Sequence, residues 1–130
     1  MSGFSTTLEI AASGMRGQSE RLRLVSQNIA NADTPGYQRK TASFEAMTAS
    51  GAAEGAVRLG RVNLDQSALA VIYDPSHPLA DAQGNYQGSN VDLVIEIADA
   101  REAQRSYEAN LRVFDQVRQM SSSLSDLLRR

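Results

Sequence analysis

The chain has no cysteine and no tryptophan, one histidine (His77) and one lysine (Lys40) among its 130 residues. Missing thiols exclude disulfides, zinc–thiolate centres and thiol catalysis together. With a single imidazole, no second ring can complete a histidine metal site. Aromatics supply 5% of the chain, and the 42% hydrophobic content is mostly Ala, Leu and Val, which suits slender helices better than a thick core. Charge of one sign is also lacking: 13 cations against 15 acids leave −2, so nothing electrostatic favours nucleic acid or an anionic membrane. No run approaches the roughly 20 apolar residues a membrane helix needs. The N-terminus lacks a basic stretch followed by an apolar one, so no cleavable secretory signal is expected.

What is present is an apolar stripe at each end. Met1, Leu8, Met15, Leu22 and Ile29 recur every seven residues, with Phe4, Ala11 and Val25 on the same face. Leu93, Ile97, Ala100, Tyr107, Leu111, Phe114, Val117, Leu124 and Leu128 form the second stripe. Such seams call for partner helices. The expected fold is mainly α: antiparallel N- and C-terminal long helices forming a coiled-coil-like inner domain, around a small irregular or β-hairpin centre. The expected divisions are 1–36, 37–88 and 89–130.

Local signals refine this plan. The first helix is expected over about Thr6 to Asn31, with Thr6 and Glu9 at capping-box spacing. The second is expected from Ser89 or Asn90 to about Leu128, with Ser89 and Asp92 spaced likewise. Gly14 and Gly17 are either tolerated or, with Ala11, Ala12 and Ser13, let a neighbouring helix approach closely. Pro35-Gly36 suits a type II turn. Residues 45–56 read as a frayed helix or a loop. Val57, Leu59, Val62 and Leu64 read as one short strand with an irregularity at Gly60, and Leu69–Tyr73 as a second. Glu108–Arg112, Asp115–Arg118 and Asp126–Arg129 are expected as surface ion pairs. Two helices cover only one face each, so further copies are the simplest source of cover.

Catalytic chemistry finds little purchase. Asp74, His77 and Asp81 are near one another, yet a lone His between prolines reads as a turn residue. Glu96 and Asp99 read as solvated carboxylates on a helix face. Gly51, Gly55 and Gly60 do not form a phosphate cradle. The expectation is therefore no enzyme activity, no cofactor, no metal and no small-molecule substrate.

Four segments carry a resemblance. Ser26-x-Asn28-Ile29-Ala30-Asn31-x-x-Thr34-x-Gly36-Tyr37, preceded by Ile10-Ala-Ala-Ser-Gly-Met15, resembles the N-terminal signature of bacterial flagellar axial proteins of the rod and hook. Arg105-Ser-Tyr107-Glu-Ala109-Asn110 resembles its C-terminal half. Tyr73-Asp-Pro-x-His77-Pro78-x-Ala80-Asp81 and Asn90-Val91-x-Leu93-x-x-Glu96 narrow the likeness to proximal-rod subunits. The resemblance implies a structural subunit whose terminal helices pair in an inner layer and stack helically into a hollow, torque-transmitting rod. It implies as partners further copies, other rod subunits, the basal-body adaptor at the rod base and the flagellar type III export apparatus. The implied location is the rod in the periplasmic space, reached without signal cleavage.

An assembly interface is expected at Leu8, Met15, Leu22, Val25, Ile29, Leu93, Ile97, Tyr107, Leu111, Phe114 and Val117. The signature residues Asn28 and Asn31 are expected to bond backbone where the first helix frays, with Ile29 in the seam. Arg105 and Asn110 would be polar links beside Tyr107. The remaining alternatives are another flagellar axial adaptor, an export-linked helical binding module, or an enzyme using Asp74, His77 and Asp81.

Overall fold

Two helices hold half of the chain, α1 (Ser2–Ala30) and α2 (Leu93–Leu128), and they run antiparallel. The computed structural model describes residues 2–129, so the place of Met1 in its seven-residue row lies outside the described residues. Between the helices lie six short strands: β1 (Lys40–Thr41), β2 (Phe44–Ala46), β3 (Val57–Leu59), β4 (Asn63–Leu64), β5 (Val71–Tyr73) and β6 (Asn85–Gln87). They pair only antiparallel, as β1 with β4, β2 with β3 and β5 with β6. The mainly α plan with a small hairpin centre is the fold observed.

Strands β1–β2 and β3–β4 are one hairpin with a break. Thr41 opposes Asn63 and Phe44 opposes Leu59, so Ala42-Ser43 face the three residues Gly60-Arg61-Val62. That extra residue is a bulge, which is the irregularity expected at Gly60. Residues 47–56 form the hairpin's turns rather than a frayed helix. The second hairpin joins Val71 to Gln87 and Tyr73 to Asn85.

Several expected boundaries shift. α1 begins at Ser2, so Thr6 and Glu9 lie inside the helix and form no capping box. At α2 the cap is Asp92, whose carboxylate accepts from Val94 N at 3.0 Å. Ser89 instead donates its hydroxyl to Ala32 O and so joins the two helix ends. Residues 89–92 lie outside the helix, with Asp92 in an extended conformation. Thr34 O accepts from Tyr37 N at 3.2 Å across Pro35-Gly36, and Gly36 has φ +76. Those values fit the type II turn, which needs a residue free to adopt positive φ at its third position.

In a helix paired at about 3.5 residues per turn, residues seven apart form a row along one side. Gly14, Arg21 and Asn28 form the α1 row facing α2: a Cβ on Gly14 would lie 2.7 Å from Asn110 Nδ2, Arg21 meets Asp99 and Asn28 meets Glu96. The glycine thus admits a neighbouring helix. Gly17 admits something else, since its Cβ would lie 2.3 Å from the Phe44 ring in β2. Ile10, Gly17 and Leu24 are the row turned toward the hairpin. Ser13 helps to fasten that contact, accepting from Val57 N at 3.0 Å while donating to Ile10 O.

The buried apolar core is correspondingly thin: Ala11, Leu24, Val25, Ala56 and Ala103. On α2, the face toward α1 carries Glu96, Ala103 and Asn110, with Val117 the one member of the expected stripe in the same seven-residue row. Leu93, Ile97, Tyr107 and Leu111 are exposed, as is Ile29 on α1. The ion pairs expected at Glu108–Arg112, Asp115–Arg118 and Asp126–Arg129 are not among those formed within 4.0 Å by the described residues. Exposed side chains gain too little from such pairs to hold one geometry.

Candidate functional site

Where the end of α1, the start of α2 and the first hairpin meet, a polar knot replaces an apolar core. Glu96 is fully buried and Asn28 is 1% exposed. Asn28 Nδ2 donates to Lys40 O at 2.9 Å and to Glu96 Oε2 at 3.3 Å. Its Oδ1 accepts from Lys40 N at 2.9 Å and from the Tyr37 hydroxyl at 2.8 Å. One side chain therefore satisfies both backbone groups of Lys40, as a neighbouring strand would. Asn90 does similar work from the other side: Oδ1 accepts from Arg39 N at 2.6 Å and Nδ2 donates to Asp65 O at 2.9 Å.

Arg39 supplies the charge. Its Nε donates to Glu96 Oε1, and Nη2 donates to Asp99 Oδ2 at 2.9 Å. Arg21 adds longer contacts to Asp99 at 3.5 Å and Glu102 at 3.4 Å. Glu96 is thus buried against its counter-charge, which corrects its reading as a solvated carboxylate, while Asp99 is ion-paired and partly exposed. Burial works against the Arg39 charge, but the Glu96 hydrogen bond and carboxylate, with Asp99 and Asp65, outweigh it and raise its pKa. Burial, then the Glu96 charge, raises the Tyr37 pKa. The phenol therefore stays protonated as a donor to Asn28.

This arrangement can fix geometry but has little reactive capacity. A cleft of about 220 Å³ opens beside Arg21, Leu24, Asn28, Arg39, Phe44 and Glu96, and its polar groups are bound to one another. Among the described residues no cluster of His, Asp and Glu could hold a metal ion. His77 stacks on Tyr86 with ring centroids 3.9 Å apart, and its Nδ1 accepts from Leu79 N at 3.1 Å. Asp74 accepts from Ser76 and Asp81 from Gln83 N and Asn85 N. The Ser76 hydroxyl bond chiefly lowers the Asp74 pKa. All three residues shape turns in the second hairpin.

The signature residues divide into two groups. Asn28, Asn31, Thr34, Gly36 and Tyr37 come together at the junction: Asn31 Nδ2 donates to Gln27 O at 2.8 Å, Thr34 donates to Asn31 Oδ1 at 3.1 Å, and Gly36 N donates to Gly88 O at 3.0 Å. Asn31 thus bonds the frayed helix end as expected, whereas Asn28 reaches across to the hairpin. Ser26, Ala30, Arg105 and Ala109 are exposed, and half-buried Asn110 faces Gly14 rather than linking beside Tyr107. Arg39, Asn90, Glu96 and Asp99 were not foreseen as a unit. One signal existed: Glu96 is the only charge in Leu93-Val-Ile-Glu-Ile-Ala98, and an acid inside an apolar run needs a buried partner.

Removing Asn28 tests the knot. Asn28→Ala orphans the Lys40 N–H and C=O, and each buried unpaired group costs about 1–3 kcal/mol. The urea midpoint of the purified chain is expected to fall accordingly. An unchanged midpoint would show that the clamp carries no stability.

The helix pair presents a second feature on its far side. Leu8, Met15, Leu22 and Ile29 form the α1 row turned away from the hairpin. On α2, Asp99 marks the hairpin side by its bond to Arg39. Leu93, Ile97, Ala100, Tyr107, Leu111 and Phe114 are on the opposite side. Antiparallel register lays these rows side by side, so the hairpin-free face is an apolar strip drawn from both helices. Leu8, Met15, Leu22 and Phe114 are half-buried in it, while Val25 and Val117 sit closer to the seam.

Comparison with known proteins places this architecture. Residues 8–38 match the family described as flagella basal body rod protein, and residues 82–127 match the flagellar basal body rod FlgEFG protein C-terminal family. The two matches cover α1 from Leu8 with its turn, and β6 with nearly all of α2, leaving out the first hairpin and β5. A flagellar basal-body rod protein FlgC of Agrobacterium fabrum is 43% identical over 99% of this chain and 98% of its own length. FlgC proteins of Salmonella typhimurium and Bacillus subtilis are 37% and 33% identical over 86% and 81% of this chain, and over 88% and 85% of their own lengths. With paired terminal helices, the signature turn and near end-to-end similarity in agreement, the chain belongs to the flagellar basal-body rod protein FlgC family.

Proposed function

We propose that this structural rod subunit assembles with further copies, and with other rod subunits, by burying the hairpin-free face of its helix pair. The observation that carries this reading is the apolar strip itself. Leu93, Ile97, Tyr107 and Leu111 remain exposed although α2 is already paired. Contiguous exposed apolar surface of this kind marks an interaction site. Leu8, Met15, Leu22, Ile29, Leu93, Ile97, Tyr107, Leu111 and Phe114 form the interface, with Val25 and Val117 supporting it from the seam. Among the signature residues, Asn28, Asn31, Thr34, Gly36 and Tyr37 hold the junction, while Ser26, Ala30, Arg105 and Ala109 are surface residues available to neighbours.

In this reading, residues 1–36 and 89–130 form the inner, helix-paired part and residues 37–88 the outer part. Copies arranged helically enclose a hollow shaft, and the polar knot keeps each hairpin at a fixed angle to its helices while torque passes from motor to hook. The role is structural rather than catalytic. The chain reaches the periplasmic rod through the flagellar type III export apparatus and meets the basal-body adaptor at the rod base. No described helix is long and apolar enough to cross a membrane, which is compatible with a place in the axial structure rather than in the bilayer.

The test is a density map of isolated basal bodies. The expected result is a ring or helical layer of this chain in the axial wall, with the hairpin-free face against neighbouring helices. A layer in which that face meets solvent would overturn the reading. A few copies outside the wall would favour an adaptor instead.

A further inference from the structure

The second hairpin has one closed edge and one open edge, and we propose that the open edge, β5, takes up an extended basic segment of a different protein as a third strand. In an antiparallel ladder, residues that bond the partner strand alternate with residues whose N–H and C=O point away from it. Ala70 O accepts from Gly88 N at 2.8 Å, and Asp74 N donates to Gly84 O at 2.9 Å. Ala70, Ile72 and Asp74 therefore face β6, while Val71, Tyr73 and Asn85 turn their backbone groups outward. The β6 edge is closed: Asp81 N donates to Asn85 O at 2.8 Å, Asp81 Oδ1 accepts from Asn85 N at 3.0 Å, and Gly36 N donates to Gly88 O at 3.0 Å. On β5, the N–H and C=O of Val71 and Tyr73 meet no partner among the described residues. Their side chains are 70% and 71% exposed, so no described element lies over them. Proteins usually blunt such an edge with Lys, Pro or a bulge. Val71-Ile72-Tyr73 has none of these, and all three residue types suit a strand.

Charge selects the occupant. Residues 62–100 include Asp65, Asp74, Asp81, Asp92, Glu96 and Asp99 and neither Lys nor Arg. Arg39 answers Glu96 and Asp99. The hairpin's own Asp74 and Asp81 accept only from uncharged groups, Ser76, Gln83 N and Asn85 N, so their charge is left without a counter-charge. An added strand gains main-chain hydrogen bonds from Val71 and Tyr73, and basic side chains along it complement the acids. A second copy has no such segment to offer among the described residues. Its Lys and Arg lie in α1, in α2 and its C-cap, or within residues 39–61 of the first hairpin, where β1–β4 and β2–β3 are already paired. The occupant is therefore a strand of another protein, and the surface it uses is separate from the hairpin-free face.

The purified chain and a fluorescent Lys-Val-Lys-Val-Lys-Val peptide test this without any assembly. Fluorescence anisotropy is expected to show binding that weakens as salt is added and is lost when Glu replaces Lys in the probe. The same probe N-methylated throughout lacks backbone donors while the protein is untouched, and it is expected to bind about tenfold more weakly. Tyr73→Pro should have a similar effect, because it removes an N–H that the β5–β6 ladder does not use. Asp74→Asn with Asp81→Asn keeps the acceptor oxygens of both turns and should also weaken binding about tenfold. No binding to the parent chain, or equal binding of the methylated probe, overturns the proposal. So does equal binding by Tyr73→Pro, which would put the probe elsewhere. Concentration-dependent dimers of the parent chain that Tyr73→Pro abolishes would assign the edge to a second copy and overturn it as well. Leu111→Asp is expected to bind the probe as the parent does. Loss of binding in that variant would put the probe on the hairpin-free face, overturning the edge proposal while the role of that face in assembly stands.

Discussion

Arg39→Ala is expected to destabilise the purified chain by about 3–5 kcal/mol, because it strands a fully buried carboxylate without its counter-charge. For a chain with the usual marginal stability of about 5–15 kcal/mol, that is a large share. Glu96→Ala is expected to cost less, since the Arg39 side chain retains some access to water and still meets Asp99. Replacing both with apolar residues, as in Arg39→Met with Glu96→Leu, removes the desolvation penalty together with the attraction and should recover much of the loss. Asp99→Ala is expected to stay within about 1 kcal/mol, because a partly exposed pair is screened. Urea unfolding of the four variants gives the order directly. Finding Arg39→Ala as stable as the parent chain would mean that Glu96 is not held as described.

The second large effect concerns assembly rather than folding. Leu111→Asp places a carboxylate in the centre of the apolar strip, where Leu111 is exposed in the single chain. In the isolated chain the new charge remains hydrated, so the unfolding midpoint should move little. Once neighbours cover the strip, the same charge must be desolvated, which costs several kcal/mol without a partner. Loss of rods and of motility is therefore expected, with the exported amount of the chain largely unchanged. Leu22→Asp should act similarly but also lower the midpoint, since Leu22 is half-buried against its own chain. Normal swimming in both variants would remove the strip from the assembly. The contrast between the two measurements matters, because a variant that merely unfolds fails both.

Helix existence and pairing direction were legible from a few patterns: apolar residues at seven-residue spacing, Pro35-Gly36 to end the first run, and a compact centre between the two runs. Even Gly14 was readable as a place where a helix comes close. Which face of α2 meets α1 was not legible. Apolar periodicity reports a stripe that avoids water, and it does so equally whether the cover comes from the same chain or from another. Leu93, Ile97, Tyr107 and Leu111 mark a stripe that needs cover, and they stay exposed while the contact with α1 uses Glu96, Ala103 and Asn110. A small or polar residue at a helix contact leaves no hydrophobic mark.

The polar knot shows the same limit from another side. Asn28 and Tyr37 stood out as signature residues, but their bonds to Lys40 and to each other cross between segments. Glu96 read as a solvated acid because a charged residue beside Asp99 on a helix usually is one, and only an arginine 57 positions earlier reverses that conclusion. Composition and periodicity by themselves determined that this is a cysteine-free chain with a long helix at each end and a small, irregular centre. Tertiary structure decided which apolar stripe stays bare, which charges are buried, and where the hairpin is clamped. Burial and pairing depend on atoms distant in sequence, and a local pattern carries no record of what it will meet.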